Sequence, residues 1–353
     1  MKSRIAIVGA GAVGSYVGAH MARAGEDVTL LDAWPAHVEH LRAHGLRVTG
    51  VTAEEEFVQP VRALHLTDAQ QLAKEKPVDI AFVSVKSYDT EWATMLIRQY
   101  LAPGGFVVSL QNCMNEERVA AVVGWGRTVG CIASKISVEL YEPGHVHRGV
   151  EKGGAAYTIF RAGEVHGRVT PRVAEVARLV GLSDSAKVTT NLWGERWSKL
   201  VANSMQNGLS ACTGLSGNAM MRNDAIRRFS IRLGSEAVRV GQAAGYVLED
   251  ILNIRPEILA AAGEGEAEAL RTAEETLGAG AKKRAEGQRP SMGQDMVKGR
   301  CTEITFLNGY VVDRGREIGI DAPANAALTD IVQRVERGEI APDPAHIVNL
   351  RLN

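Results

Sequence analysis

The sequence predicts an α/β fold: a doubly wound parallel sheet in the N-terminal half, followed by an all-helical domain. Three observations carry that expectation. Short β-rich runs alternate with helix-compatible segments through the first half, the runs stop near Asn191, and 353 residues are too many for a single hydrophobic core.

The runs are IAIV at 5–8, VTLL at 28–31, DIAFVSV at 79–85, FVVSL at 106–110 and TVGCIA at 128–133. Turn residues and helix-compatible stretches separate them, the rhythm of parallel strands joined by crossover helices. HVHRGV and AAYTIF then read as a terminal antiparallel pair. Beyond them, segments rich in Ala, Leu, Glu and Arg read as helices at 191–212, 222–245, 265–286 and 292–318. The expected domains are therefore 1–188 and 189–353. AAAGEGEAEALRTAEETLGAGAKKRAEGQRPS is charged and poor in apolar residues, so it reads as a solvated helix with flexible ends. APDPAHIVNLRLN reads as a surface tail.

Composition narrows the function classes. Forty basic side chains against forty-one acidic ones give a formal charge of −1, with no electrostatic footprint for nucleic acid or an anionic membrane. Small molecules or other protein chains are the expected partners. Cys113, Cys131, Cys212 and Cys301 are scattered without a CxxC pair or metal-ligand spacing, so no metal site is expected and a reducing cytoplasm is the simplest compartment. The run Ile5–Val8 breaks at glycines and no later run approaches about 18 apolar residues, so neither export nor membrane insertion is expected.

Between the first strand and the first helix lies GAGAVG, residues Gly9, Ala10, Gly11, Ala12, Val13 and Gly14. A GxGxxG pattern in that context points to a dinucleotide diphosphate. Gly9 permits the tight turn, Gly11 the close approach of backbone to phosphate, and Gly14 the packing of helix on strand. The diphosphate would meet the positive end of the helix. Asp32 ends the second strand, where a carboxylate accepts hydrogen bonds from the adenosine ribose and repels a 2′-phosphate; it argues for NAD over NADP. Arg42 and Arg47 lie too far along to serve as phosphate ligands.

In NLWGERWSKLVANSMQNGLSA, Lys199, Asn203 and Asn207 recur every four residues, which on one helix puts an ammonium and two carboxamides on nearly one face. Alone, this could equally be a polar helix face. SMGQDMVKGRCTEITFLNGY places Ser291, Asp295 and Glu303 at intervals of four and eight, a second aligned polar face.

At these residues the sequence resembles the ketopantoate reductase (2-dehydropantoate 2-reductase) family. The resemblance runs through nearly the whole chain: GAGAVG, VSVKSYDT around Lys86, LQNCMN around Asn112, LWGERWSKLVANSMQN and SMGQDMVKGRCTEITFLNGY. It implies a Rossmann domain joined to a helical domain, often a homodimer. It also implies reduction of a 2-oxo acid to a 2-hydroxy acid, 2-dehydropantoate to pantoate in pantothenate biosynthesis, with a nicotinamide cofactor bound in the cleft between domains. By this resemblance Lys199 is the general acid, Asn203 and Asn207 bind substrate, Ser291 binds its carboxylate end and Asp295 partners a substrate hydroxyl. Glu303 contacts cofactor and helps place the lysine, and Lys86 and Asn112 contact the nicotinamide ribose.

Three departures bear on these expectations. The family's H-N-G loop reads Gln111, Asn112, Cys113 here, so a glycine is replaced. Ala33 follows Asp32 where NADP-dependent members often carry arginine, which again favours NAD with NADP as the alternative. The stretch 246–290 is longer than in compact members and could admit a different 2-oxo acid. Two rival readings follow: an NAD-dependent dehydrogenase of another 2-hydroxy acid on the same fold, and a non-catalytic NAD-sensing protein. The Lys199, Asn203, Asn207 and Glu303 set speaks against the second. Cys113 reads as a packing residue, because hydride transfer needs no covalent intermediate. His145 and His147 alternate on one strand face and read as solvent-facing.

Overall fold

The computed structural model describes residues 2–281 and 287–352, which fold as two compact units, Met1–Leu192 and Trp193–Asn353. The first contains β1 (Arg4–Val8), α1 (Ala12–Arg23), β2 (Asp27–Asp32), α2 (Pro35–His44), β3 (Leu46–Thr49), β4 (Phe57–Gln59), β5 (Arg62–His65) and β6 (Val78–Val83). It continues through α3 (Thr90–Arg98), β7 (Leu101–Ser109), α4 (Glu116–Val123), β8 (Thr128–Ala133), β9 (Val138–Glu142), β10 (His145–Arg148), β11 (Phe160–Glu164), α5 (Pro171–Gly181) and β12 (Ala186–Thr189).

Eight strands form one sheet in the order β12-β11-β8-β7-β6-β1-β2-β5, parallel except where β11 runs antiparallel to β8. All five strands read from the sequence lie in it. β1, β6 and β8 are buried almost throughout, as expected of apolar runs covered on both faces. The chain leaves β1 toward β2 on one side and later returns to β6 on the other, so the carboxyl end of β1 is the point where strand order reverses. β12 crosses the expected division at 188 and closes the sheet, which carries the first unit to Leu192.

HVHRGV and AAYTIF do not pair with each other. β10 belongs to a separate four-stranded sheet, β4-β3-β10-β9, while β11 extends the large sheet beside β8. Glu142-Pro143-Gly144-His145 is the cause: Gly144 adopts φ +74° and closes a tight hairpin that gives β10 to β9. His145 and His147 do share a face, but both are half-buried and both hydrogen-bond to Thr49 Oγ1 at 2.9 Å.

Behind α1, Arg148 and Asp184 form a buried pair at 2.5 Å, and the Asp184 carboxylate also accepts the N–H groups of Gly153, Gly154 and Ser185. Burial alone would raise this carboxyl's pKa; the Gly153 and Ser185 N–H groups and the Arg148 charge outweigh it and hold it low. His20 of α1 packs edge-on to Tyr16 and Phe57, at 4.7 and 5.1 Å between ring centroids, and its Nε2 is buried without a partner among the described residues. Burial, with Lys152, Arg23 and Arg148 nearby, pushes its pKa down to about 3. The native state thus holds His20 neutral, while the unfolded chain protonates it near pH 6.5. Stability from this source is complete above that pH and is lost as pH falls toward 3, by up to about 1.4 kcal/mol per pH unit. His20→Phe is expected to flatten the fall in unfolding free energy between pH 7 and 5, measured by urea denaturation.

The second unit is helical: α6 (Leu192–Ser204), α7 (Asn207–Thr213), α8 (Gly217–Arg222), α9 (Asp224–Ala243), α10 (Pro256–Gly263), α11 (Ala267–Ala281), α12 (Ser291–Val297), α13 (Asn308–Ile318), α14 (Pro323–Glu336) and α15 (Ala345–Val348). Each long helix read from the sequence is shorter or divided. The expected helix 191–212 breaks between Ser204 and Asn207, 222–245 begins at Asp224, and 292–318 breaks after Val297. Of the expected helix 265–286, the part 282–286 lies outside the described residues. α11 is not wholly solvated, since Ala269, Ala273 and Leu277 form a buried stripe at helical spacing. The C-terminal stretch is docked rather than a free tail: Ile347 is buried, and Asp343 N–H donates to the Cys212 carbonyl at 3.0 Å. No helix among the described residues is long and apolar enough to cross a membrane.

Candidate active site

Gly9 sits at the carboxyl end of β1 with φ +96°, its N–H donating to Leu31 O of β2 while Ser84 N–H donates to Val8 O. A Cβ here would meet Val85 Cγ1 at 2.7 Å and backbone of Ser84 at 2.8 Å, so both conformation and space require glycine. At Gly14 a Cβ would lie 2.1 Å from Gly9 O, which lets α1 start directly against the turn. Gly11 is different: a Cβ there meets nothing within 4 Å. It caps α1 without a side-chain hydrogen bond, and no acidic residue stands in the first turn. A diphosphate therefore fits against the open glycine and the uncapped N–H groups of the helix start. Ala10 is buried, whereas Ala12 and Val13 are half-buried on the opening turn.

Asp32 ends β2, half-buried, and accepts the N–H of Trp34 at 2.9 Å through Oδ1, which sets the carboxylate at the strand terminus. Both arginines downstream are ion-paired. Arg42 is engaged by Asp68 at 2.7 Å and Glu39 at 3.0 Å, and Arg47 by Glu56.

Two further loops follow parallel strands, and one side chain links them. Asn115 Nδ2 donates to Ser87 Oγ at 3.0 Å and to Asn112 O at 2.8 Å, joining the segment after Lys86 to that of Asn112. Gln111 reinforces the link through Val85 O at 2.9 Å and Thr90 Oγ1 at 2.8 Å. Cys113, buried, adopts φ +61°, the left-handed conformation that glycine takes at least cost. The loop thus has a glycine-like backbone at this position, at a strain of about 1–3 kcal/mol for a non-glycine residue. Neither Gln111 nor Asn115 carries a sequence signal as a brace, since their partners Ser87, Val85 and Thr90 lie more than twenty residues away.

In the second unit, α6 is pinned to α9. The Trp197 indole N–H donates to Ala237 O at 2.9 Å, and Gly241 makes room, since a Cβ there would lie 2.2 Å from that nitrogen. This leaves Lys199 and Asn203 half-buried on the same helix, one turn apart. They do not share that helix with Asn207. Met205 seats against Gly234, and the carbonyls at the break find side-chain donors: Ser230 Oγ to Met205 O at 2.8 Å and Asn308 Nδ2 to Ser204 O at 3.1 Å. Asn308 also donates to Asn325 Oδ1, and Asn325 donates to Glu236, whose carboxylate accepts the Ala324 and Asn325 N–H groups at the start of α14. A fully buried polar network thus fixes where α6 stops and α7 begins.

Asn207 opens α7, and its Nδ2 donates to Ser291 Oγ, the first residue of α12, at 3.3 Å. The approach is possible because Gly293 packs directly on Ser210. Two expected substrate residues from separate helices are therefore in contact. Asp295 lies one turn along α12 and is buried. Glu303, also buried, is not on this helix: Gly299 at φ +62° ends α12, with Arg300 N–H returning to Asp295 O. Glu336 holds the segment before Glu303 by accepting Thr302 N–H at 2.7 Å. Among the described residues no cluster of three or more His, Cys, Asp or Glu is arranged to hold a metal ion.

Comparison with known proteins identifies the family. Residues 5–157 match the model described as ketopantoate reductase PanE/ApbA, and residues 191–336 match that of its C-terminal domain. A 2-dehydropantoate 2-reductase of Archaeoglobus fulgidus is 32% identical over 343 residues, covering 95% of this chain and 98% of that protein. The crystal structure of a PanE/ApbA family ketopantoate reductase from Ralstonia eutropha superposes with a TM-score of 0.75 at 28% identity, covering 95% of this chain and 99% of the other. D-mandelate dehydrogenase, solved in a ternary structure with NADH and anilino(oxo)acetate, shares the fold at a TM-score of 0.75 and 22% identity, covering 95% of this chain and 98% of the other. With both of its units matched and a near full-length relative at 32% identity, the chain belongs to the ketopantoate reductase family of oxidoreductases.

Proposed function

We propose that the protein reduces a 2-oxo acid to the corresponding 2-hydroxy acid with NADH, 2-dehydropantoate to pantoate being the leading pair. The observation that carries the reading is the contact of Asn207 with Ser291, with Lys199 and Asn203 on the preceding helix. Two carboxamides, a hydroxyl and an ammonium suit an acid bearing a ketone, a carboxylate and further oxygens. In this division of labour, residues 1–188 bind the dinucleotide and 189–353 bind substrate and form the homodimer contact.

Gly9, Ala10, Gly11, Ala12, Val13 and Gly14 would hold the diphosphate, Asp32 the adenosine ribose, and Lys86 and Asn112 the nicotinamide ribose. Bound there, a reduced nicotinamide supplies the hydride. Lys199 stabilises the negative charge that develops on the ketone oxygen and donates a proton to it, leaving a hydroxyl on the product and a neutral amine that recovers its proton from water. Asn203 and Asn207 orient the substrate, Ser291 binds its carboxylate, Asp295 accepts a hydrogen bond from a substrate hydroxyl, and Glu303 favours the charged form of Lys199. A second reading, oxidation of a different 2-hydroxy acid with NAD, draws support from the fold shared with D-mandelate dehydrogenase. The cytoplasm is the proposed location, in keeping with four free cysteines.

Initial rates with a panel of 2-oxo acids test the reading: NADH oxidation with 2-dehydropantoate supports it, and a faster rate with another 2-oxo acid supports the second. NADH is expected to outperform NADPH, because Asp32 repels a 2′-phosphate and Arg42 is held elsewhere. Asp32→Ala is expected to raise kcat/KM for NADPH relative to NADH by about 10-fold or more, the scale of one close charge interaction. An unchanged ratio contradicts the role of Asp32.

A further inference from the structure

His37, on α2 and fully buried, lies outside every role assigned above, yet both its ring nitrogens face defined partners. The backbone N–H of Gly144, in the β9–β10 turn, donates to Nδ1 at 2.9 Å. A nitrogen that accepts carries no proton, so in the neutral ring the proton is on Nε2, which lies 3.3 Å from Ser15 Oγ. The Ser15 hydroxyl in turn donates to Ala10 O at 2.7 Å. The chain of donors therefore has one consistent direction: Gly144 N–H to His37, His37 Nε2–H to Ser15, Ser15 O–H to the Ala10 carbonyl.

Its end point is the glycine turn itself. In a planar trans peptide the carbonyl and the following N–H point in opposite directions. With the Ala10 carbonyl drawn toward buried Ser15, the Gly11 N–H is aimed the other way, and Gly11 is the position whose missing side chain faces open space. The same short segment carries Asp32, since Trp34 N–H binds that carboxylate and His37 N–H returns to Trp34 O. Gly144 is held in place too: a Cβ there would lie 1.9 Å from His40 Cδ2, so the turn packs directly on α2.

We propose that His37 is a positioning residue for dinucleotide binding, acting through Ser15 to hold the Ala10–Gly11 peptide with its N–H presented to the cofactor diphosphate. The inference rests on the dinucleotide reading of the glycine turn. It assigns no catalytic contact to His37, so it concerns affinity and not the chemical step. Burial keeps the ring in the neutral form this arrangement needs, opposed by the Asp32 charge and the Ala10 carbonyl and assisted by His40.

Two variants separate the ring's two hydrogen bonds. In His37→Gln the carboxamide nitrogen reaches the Nε2 position and can donate to Ser15. In His37→Asn the shorter carboxamide can accept from Gly144, and nothing reaches Ser15. Titration calorimetry with NADH and with ADP-ribose is expected to show about a 10-fold weaker Kd for His37→Asn, the cost of one hydrogen bond, and near wild-type affinity for His37→Gln. At saturating NADH, kcat should stay within about threefold of wild type for both, on the same reasoning. Ser15→Ala should weaken binding as His37→Asn does, and the double variant should be no weaker than either alone. Equal affinity in wild type and His37→Asn, equal loss in both His37 variants, or additive losses in the double variant would each overturn the proposal. Failure of the wild type to bind NADH or ADP-ribose would instead overturn the dinucleotide reading beneath it.

Discussion

Lys199→Ala is expected to lower kcat by about 10²- to 10⁴-fold, the range that a positioned general acid contributes, while the Kd for NADH stays close to wild type. The separation follows from where the residue stands. Lys199 belongs to α6, fastened through Trp197 to α9, and the glycine turn and Asp32 belong to the other compact unit. On the proposed mechanism, removing the ammonium takes away the proton and positive charge directed at the ketone oxygen and leaves the residues proposed to hold the dinucleotide untouched. Lys199→Arg should not restore the rate: its guanidinium keeps a positive charge but has a pKa above about 12 and is a poor proton donor at neutral pH. Steady-state kinetics with NADH titration gives both numbers. A parallel loss of kcat and NADH affinity would place Lys199 in the cofactor site instead.

Gly14→Ala carries the second large effect, on stability and cofactor binding together. The added Cβ would lie 2.1 Å from the Gly9 carbonyl oxygen and 3.2 Å from Ile7 Cγ2. Gly9 O is backbone in a turn that already packs closely on Ser84 and Val85, so it cannot yield as the tip of a long side chain could. Overpacking of this kind costs about 1–3 kcal/mol or more, and relief requires moving the start of α1 away from β1. Loss of measurable NADH binding and a lower urea midpoint are expected together. Gly11→Ala is the informative contrast. Its Cβ enters open space in the protein, so stability should hold while NADH affinity falls, because the methyl occupies the approach left to the diphosphate.

How legible these features were in the sequence depended on how local their causes are. GAGAVG and the five apolar runs could be read because a turn, a helix start and a buried strand are set by adjacent residues. That Lys199 and Asn203 share one helix was legible for the same reason, through helical spacing. Spacing alone puts Asn207 on one continuous face with them; the break at 205–206 has no local signal, because it depends on Ser230, Gly234 and Asn308, which come from α9 and α13. Glu303 was assigned to the α12 face although Gly299, whose positive φ ends that helix, stood in the sequence as a stop signal. The pairing of β10 was misread for a similar reason: Pro143-Gly144 marks a hairpin, and the strand went to β9. His37 carried no signal at all. Its two partners, Ser15 and Gly144, are 22 and 107 residues away, and only the folded chain brings them to one ring.

Cys113, where the family resemblance leads one to expect glycine, shows the opposite relation: a departure legible in the sequence whose backbone conformation only the fold gives. The residue at that position is left-handed, a conformation open to glycine at least cost, and Gln111 and Asn115 brace the loop around it.

The central claim, transfer of hydride from NADH to the ketone carbon of a 2-oxo acid, is tested most directly by following the hydrogen itself. NADH deuterated at the nicotinamide C4 position is incubated with the protein and 2-dehydropantoate, and with the other 2-oxo acids of the panel, and the product is analysed by mass spectrometry and proton NMR. A 2-hydroxy acid carrying one deuterium at C2 is expected, formed by the wild type and formed about 10²-fold or more slowly by Lys199→Ala. Absence of any C2-deuterated hydroxy acid from every 2-oxo acid, with NADH still bound by the protein, would contradict it and favour a protein that senses the dinucleotide without turning it over.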